Sequence, residues 1–429
     1  MYDVIVIGGG ICGASVLFEL SKLKIKAALV EKESDISMGT TKANSAIVHA
    51  GYDPMPGTLM AKYNVKGSKL INKLCEDLNV PYKQIGSLVL AFNDDEMEEV
   101  KTLYNRGKEN GVDGLKIISE QEVIQLEPNI NPVKGALLAE TAAIVSPWSL
   151  AIALCETAVI NGAKVFCNNE IEQIDFQNEI YTLKTNNNEF KTKYIINCAG
   201  LFADKIQEMA AKSKSYFQIK PDKGCYYLLD KSQGDIVKHI VFQCPTKVGK
   251  GVLVSPTTHG NLIVGPDSQR IVSNCDLSTK RENLEFVKLM AAKTTSKINY
   301  RENIRNFAGL RAYSNFNDFI VEKSPQNQNF INVAGIKSPG LSSAPAIAED
   351  VINMLFEMGL NAHKKKEFIN KREKIYFAEL NTEEKQKIIE KNPKYGNVIC
   401  RCNTVTEGEI IDALHSPIIP QTLDGIKRR

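Results

Sequence analysis

The residues directly behind Met1 constrain this chain's fold more than any others. Tyr2–Ile7 is a run rich in β-branched residues that reads as a strand buried on both faces. Gly8, Gly10 and Gly13 follow it, and the residues from Ala14 to Leu23 have helical spacing. Ala27 to Val30 reads as a second strand that ends at Glu31. A strand that turns through G-x-G-x-x-G into a helix, with a second strand and an acid behind it, is the opening unit of a dinucleotide-binding fold. Gly8 permits the tight turn, Gly10 lets a pyrophosphate approach the backbone, and Gly13 lets helix and strand pack closely. The phosphates then meet a helix N-terminus and need no charged side chain. Glu31 stands where a carboxylate accepts hydrogen bonds from an adenosine ribose. NAD and FAD share this pattern, and since no second G-x-G-x-x-G is present, one dinucleotide site is expected.

The remaining composition narrows the class. A length of 429 residues allows more than one core, and two intertwined domains are expected. With 53 Lys and Arg against 50 Asp and Glu, the formal charge of +3 gives no bulk electrostatic case for a nucleic-acid or membrane-surface partner. The strand pattern begins at Tyr2, with no export signal in front of it, and apolar stretches such as Ser149 to Ile160 are too short to span a bilayer core of roughly 30 Å. The expectation is a cytoplasmic protein without a transmembrane segment. Eight of the ten cysteines are scattered as reduced thiols usually are, and Cys400 and Cys402 alone are close enough to suggest a ligand pair.

Three further segments separate FAD from NAD: Gly39 to Asp53 (GTTKANSAIVHAGYD), Tyr194 to Asp204 (YIINCAGLFAD) and Val333 to Ile347 (VAGIKSPGLSSAPAI). At these residues the chain resembles the FAD-dependent glycerol-3-phosphate dehydrogenase and oxidase family, within the D-amino acid oxidase-like superfamily, over nearly its whole length. The resemblance implies an α/β fold with a Rossmann-like FAD-binding domain. A substrate domain with a mixed or antiparallel sheet, of the D-amino acid oxidase and glutathione reductase type, and a mainly helical C-terminal tail complete it. It adds Thr40, Thr41, Asn44, Ser45, Ile171, Ala199, Gly200, Gly309, Lys337, Ser338, Gly340, Leu341 and Ser342 to the cofactor-binding set. A helix beginning near Leu341 would stabilise the negative charge of the reduced flavin ring.

The elements divide accordingly. The FAD domain is expected to comprise residues 1–80, 146–204 and 328–360, and the substrate domain residues 81–145 and 205–327. Strands are expected at Gly86 to Phe92, Gly224 to Leu229, Ile240 to Gln243, Gly251 to Ser255 and Asn261 to Gly265, with a helix after Asn93 and a capping box at Ser119 and Glu122.

Oxidising a secondary alcohol by hydride transfer to flavin N5 requires a group that accepts the hydroxyl proton. By resemblance that group is His49, and Arg311, in FAGLRAY, grips the substrate anion. The family often has proline after this arginine, where the present chain has Ala312. Lys250, in GKGVLVSP, is the second cation placed there, although taken alone it reads as a solvated turn lysine; Ser45 adds a hydroxyl. The reaction implied is oxidation of sn-glycerol 3-phosphate to dihydroxyacetone phosphate. Because Arg311 would serve a carboxylate equally well, 2-hydroxyglutarate or an amino acid is the alternative substrate. A flavin-bound electron-transfer or scaffold subunit is the alternative of another class.

Residues 361–396 read as a charged helical linker, with helical character at Thr382 to Lys391. Residues 397–429 resemble the start of a bacterioferritin-associated ferredoxin-like domain, in which C-x-C and C-x4-C pairs hold a [2Fe-2S] cluster. Cys400 and Cys402 supply two of the four thiolates before Arg429, so a cluster is not expected in this chain as it stands. Electrons would pass to a partner subunit, a quinone or oxygen, and a partner would hold the protein at the membrane periphery.

Overall fold

The structure, a computed structural model, describes residues 1–245 and 251–429. Two sheets organise it. The first has eight strands, with Tyr2–Ile7 at its centre, parallel to Ala27–Val30 on one side and to Glu189–Asn197 on the other. Lys164–Phe166 extends it in parallel beyond Ala27–Val30, and Phe330–Ala334 pairs in parallel with the end of Glu189–Asn197. The remaining strands, Ile171–Gln177, Ile180–Thr185 and Ile320–Lys323, are antiparallel additions. All four residues of Ala27–Val30 are buried, as a strand covered on both faces requires. The helices Ile11–Ser21, Pro147–Ile160 and Gly340–Glu357 pack in one layer against this sheet, and Leu59–Asp77 packs on Gly340–Glu357. Gly67 sets that last approach, since a Cβ there would stand 2.0 Å from the Ser342 carbonyl oxygen.

The second sheet has nine strands and is antiparallel except where Ile240–Gln243 runs parallel to Ser87–Ala91. Its spine is the pairing of Ile219–Leu229 with Asn303–Ser314. The first of these begins five residues before the Gly224 start read from sequence. Pro221, Asp222 and Gly224 all disfavour a strand locally, and the long partner overrides them. The helix after Asn93 and the Ser119–Glu122 capping box form as read.

The tail is less helical than its charge pattern suggests. Residues 361–376 contain no α-helix and lie along the helix layer of the first sheet: Leu23 bridges to Lys364, Phe368 meets Phe18 edge-on, and Arg372 donates to Glu156 at 2.6 Å. Thr382–Lys391 is an α-helix with its own capping box, followed by the hairpin Val398–Cys400 and Val405–Thr406 and the helices Glu407–Leu414 and Leu423–Lys427. Among the described residues no helix is long and apolar enough to cross a membrane.

Candidate active site

The glycine turn is built from close approaches that exclude side chains. Gly8 has φ +105°, where an L side chain is strained, and a Cβ there would stand 2.5 Å from the Cys198 carbonyl oxygen. A Cβ on Gly13 would stand 1.9 Å from the Gly8 carbonyl oxygen, so only glycine lets the helix lie this close to the strand. Thr41 reaches across, its hydroxyl accepting from the Ile11 N–H at 2.9 Å. The helix Ile11–Ser21 has Gly10 as its cap residue, with no side-chain cap from it and no acid in the first turn. Its positive end faces the turn. Glu31 is buried, and its carboxylate accepts from the N–H groups of Gly9 (2.5 Å) and Glu33 (2.9 Å). Burial pushes its pKa up, against the opposing pull of those two donors. Ala199 and Gly200 follow Cys198 at the mouth of this turn, and Ile171 packs in the apolar cluster that contains Ile7 and Val30.

The loop after Glu31 carries the remaining groups toward the second sheet. Thr40 donates to the Leu310 carbonyl at 2.6 Å, and Asn44 donates to the carbonyls of Thr40 and Thr41 while accepting from the Ala46 N–H. Ser45 stands 3.2 Å from the Tyr226 hydroxyl. His49 is fixed at several points: its N–H donates to the Ser342 hydroxyl at 2.8 Å, and its carbonyl accepts from the buried Asn64 amide at 2.6 Å. Its Nε2 lies 3.3 Å from the Ser338 hydroxyl, and its ring stacks on Phe242. A pocket lined by His49, Tyr52, Asp53, Asn64 and Pro339 opens beside it. The helix Gly340–Glu357 begins one residue earlier than the predicted Leu341 start, again without a side-chain cap or first-turn acid. Lys337 sits just before it, with Nζ 4.5 Å from the Tyr313 ring centre.

Arg311 occupies the facing strand. Its Nη2 donates to the Asp267 carbonyl at 2.7 Å and lies 3.2 Å from Asp222 Oδ1. The sequence reading missed Tyr226, Phe242 and Asp222. Tyr226 is buried, stacks on Phe307 with ring centres 4.7 Å apart, and has its hydroxyl pKa raised by burial. A strand tyrosine ordinarily reads as core, and only the alternation along Gly224 to Leu229 hints that this one shares a face with the site. Lys250 lies outside the described residues. Cys400 is half-buried at the end of its strand and Cys402 exposed in the hairpin turn, and among the described residues no cluster of three or more His, Cys, Asp or Glu side chains is placed to hold a metal ion.

These groups fit a bound FAD. A turn closed to a Cβ at Gly8 and Gly13, an acid at the second strand end and two helix N-termini without side-chain caps match the needs of a pyrophosphate, a ribose and an electron-rich ring. The Ser37 hydroxyl, fully buried beside the turn, has no hydrogen-bond partner. Such a cradle, facing a second and mostly antiparallel sheet, defines a flavin-dependent oxidoreductase.

A family model described as FAD dependent oxidoreductase matches residues 3–354, and this chain belongs to that family. FAD is therefore its cofactor. The chain is 48% identical to a glycerol 3-phosphate dehydrogenase from Caloramator mitchellensis over an alignment of 431 residues, covering 100% of this chain and 89% of the relative. It is 34% identical over 363 residues to a glycerol 3-phosphate oxidase from Mycoplasma genitalium, covering 82% of this chain and 94% of that one. The solved structure of dithionite-reduced L-alpha-glycerophosphate oxidase from Mycoplasma pneumoniae with FAD bound superposes with a TM-score of 0.83 at 32% identity, covering 87% of this chain and 99% of that one.

Proposed function

We propose that this chain oxidises sn-glycerol 3-phosphate to dihydroxyacetone phosphate. The substrate is drawn from the named activities of its relatives. The observation that carries the reading is a single loop that seats Ser45 against Tyr226 on the second sheet and His49 against the start of the helix Gly340–Glu357. When bound, FAD supplies the two-electron acceptor for the hydride. His49 takes the alcohol proton on Nε2, the substrate hydroxyl taking the place of the Ser338 hydroxyl that lies 3.3 Å from that nitrogen. Arg311 holds the phosphate through its remaining N–H donors, and Ser45 and Tyr226 line the space between. Electrons then leave to a partner subunit, a quinone or oxygen.

Anaerobic titration separates this reading from its rivals. Glycerol 3-phosphate is expected to bleach the flavin absorbance at stoichiometric concentration, whereas 2-hydroxyglutarate leaves it unchanged. Bleaching by 2-hydroxyglutarate alone would reassign the substrate, and no bleaching by either would point to an electron-transfer or scaffold role. Substitution His49→Gln should lower kcat by about 10²–10⁴-fold while the flavin stays bound.

A further inference from the structure

Arg311 sits in a seat that the rest of its strand pair builds for it. Asp222 is its cross-strand partner in the register, with Gly224 opposite Gly309 and Tyr226 opposite Phe307. Alternate residues of a strand share a face, so Asp222, Gly224 and Tyr226 lie on the same face as Arg311, Gly309 and Phe307. The guanidinium does not stand up from this face but lies across Gly224. A Cβ at Gly224 would stand 2.3 Å from Arg311 Nη2 and 2.7 Å from Pro266 Cβ.

Asp222 closes the other side. It is 2% exposed, while Arg311 is 23% exposed. Both Asp222 oxygens accept from the Ser268 hydroxyl, at 3.1 and 2.8 Å, which fixes the carboxylate. Arg270 Nε lies 3.6 Å from the same carboxylate, and its guanidinium stacks 3.9 Å above the Tyr313 ring centre. Arg311 meets both Asp222 and the Asp267 carbonyl through Nη2. A guanidinium carries five N–H donors in a rigid fork, so holding one nitrogen aims the others.

We propose that Asp222 and Gly224 are positioning residues for Arg311. On this view, binding of an anion at Arg311 depends on a buried carboxylate that the anion does not touch. The proposal rests on Arg311 holding the substrate anion. It makes a prediction opposite in sign to simple electrostatics: deleting a negative charge next to an anion site should tighten binding if charge alone matters, and should weaken it if the charge aims the fork.

The test uses the full chain loaded with FAD, with steady-state kinetics on glycerol 3-phosphate. Asp222→Asn and Gly224→Ala are each expected to raise KM about tenfold, with kcat changed by less than about threefold and flavin content unchanged. In an Arg311→Ala background neither substitution should raise KM further, a non-additivity that a purely structural role would not give. A KM for Asp222→Asn at or below the wild-type value, or additive effects in the Arg311→Ala background, would overturn the proposal. Should Asp222→Asn fail to fold, Gly224→Ala tests the seat through its non-additivity with Arg311→Ala. If Arg311→Ala itself leaves KM unchanged, the assignment of the anion to Arg311 has failed, and that result is distinct from a seat that does not matter.

Discussion

Gly309 shows how much of this site depends on single atoms. Its strand passes so close to the loop after Glu31 that a Cβ would stand 1.9 Å from the Ala43 carbonyl oxygen, one residue before the point where Thr40 donates to Leu310. Gly309→Ala must therefore push the loop away from the sheet, at a cost of about 1–3 kcal/mol. Because Thr41 on that loop also bonds the Ile11 N–H, the loss should appear as flavin released on desalting, read as the ratio of flavin to protein absorbance. Glu31 gives a pH-dependent counterpart. Burial raises its folded-state pKa above the ordinary 4.5, so the flavin-free chain loses stability as pH rises from 4.5 through that raised value. Ribose hydroxyls would donate to the ionised form, so flavin affinity should fall as pH falls through the same value. Glu31→Gln should weaken binding at neutral pH and flatten this profile in a fluorescence titration of FAD; an unchanged profile would show that another group titrates.

At the scale of the element, the strand Ile219–Leu229 works on both faces. Asp222 serves the site, and the next residue, Lys223, points the other way, 1% exposed, with Nζ 2.8 Å from Asp276 and 3.4 Å from the Ser278 hydroxyl. This contact ties residues 271–280 to the sheet. Lys223 and Ser278 hold the Asp276 carboxyl well below the usual carboxylate range. The stabilisation is complete above the ordinary 3.8 and is lost as pH falls through the depressed value. Asp276→Asn should lower Tm more than Lys223→Met, because the first leaves a buried ammonium without its ion partner and the second removes the charge. Calorimetry at neutral pH ranks the two. None of this was legible in the sequence, and the reason is register. The glycine turn, Glu31 and the caps at Asn93 and Ser119 could be read because each is decided within a few residues. The seat of Arg311 joins Asp222 and Gly224 of one strand to Asp267 in the connection after Leu262–Gly265, and Pro221, Asp222 and Gly224 look locally like a turn until the partner strand is known.

At the scale of the whole molecule, the tail and the FAD cradle share a buried charge cluster. Asp35, 1% exposed, receives Arg428 at 2.9 Å and Arg429 at 2.7 Å, and Glu156, 2% exposed, receives Arg372 at 2.6 Å and Arg429 at 3.4 Å. Asp35 lies on the loop that leaves Glu31, where Arg428 also donates to the Ile36 carbonyl and the Ser37 N–H donates to the Gly9 carbonyl at 2.9 Å. The side chain of Ile36 would be met at 2.9 Å by a Cβ on Gly9. The tail thus grips the loop that shapes the pyrophosphate turn. Charge pattern alone made residues 361–396 look like a charged helical linker, because Glu156, the buried acid that receives Arg372, lies far away in the chain. Asp35→Asn strips the ionic partner from two buried guanidiniums, a loss of about 3 kcal/mol. It should lower Tm, open residues 397–429 to limited proteolysis and speed flavin loss together, since the Asp35 contact holds Arg428 and Arg429 against the loop that shapes the turn. Faster cleavage with unchanged flavin retention would mean that the tail rests on the cradle without supporting it.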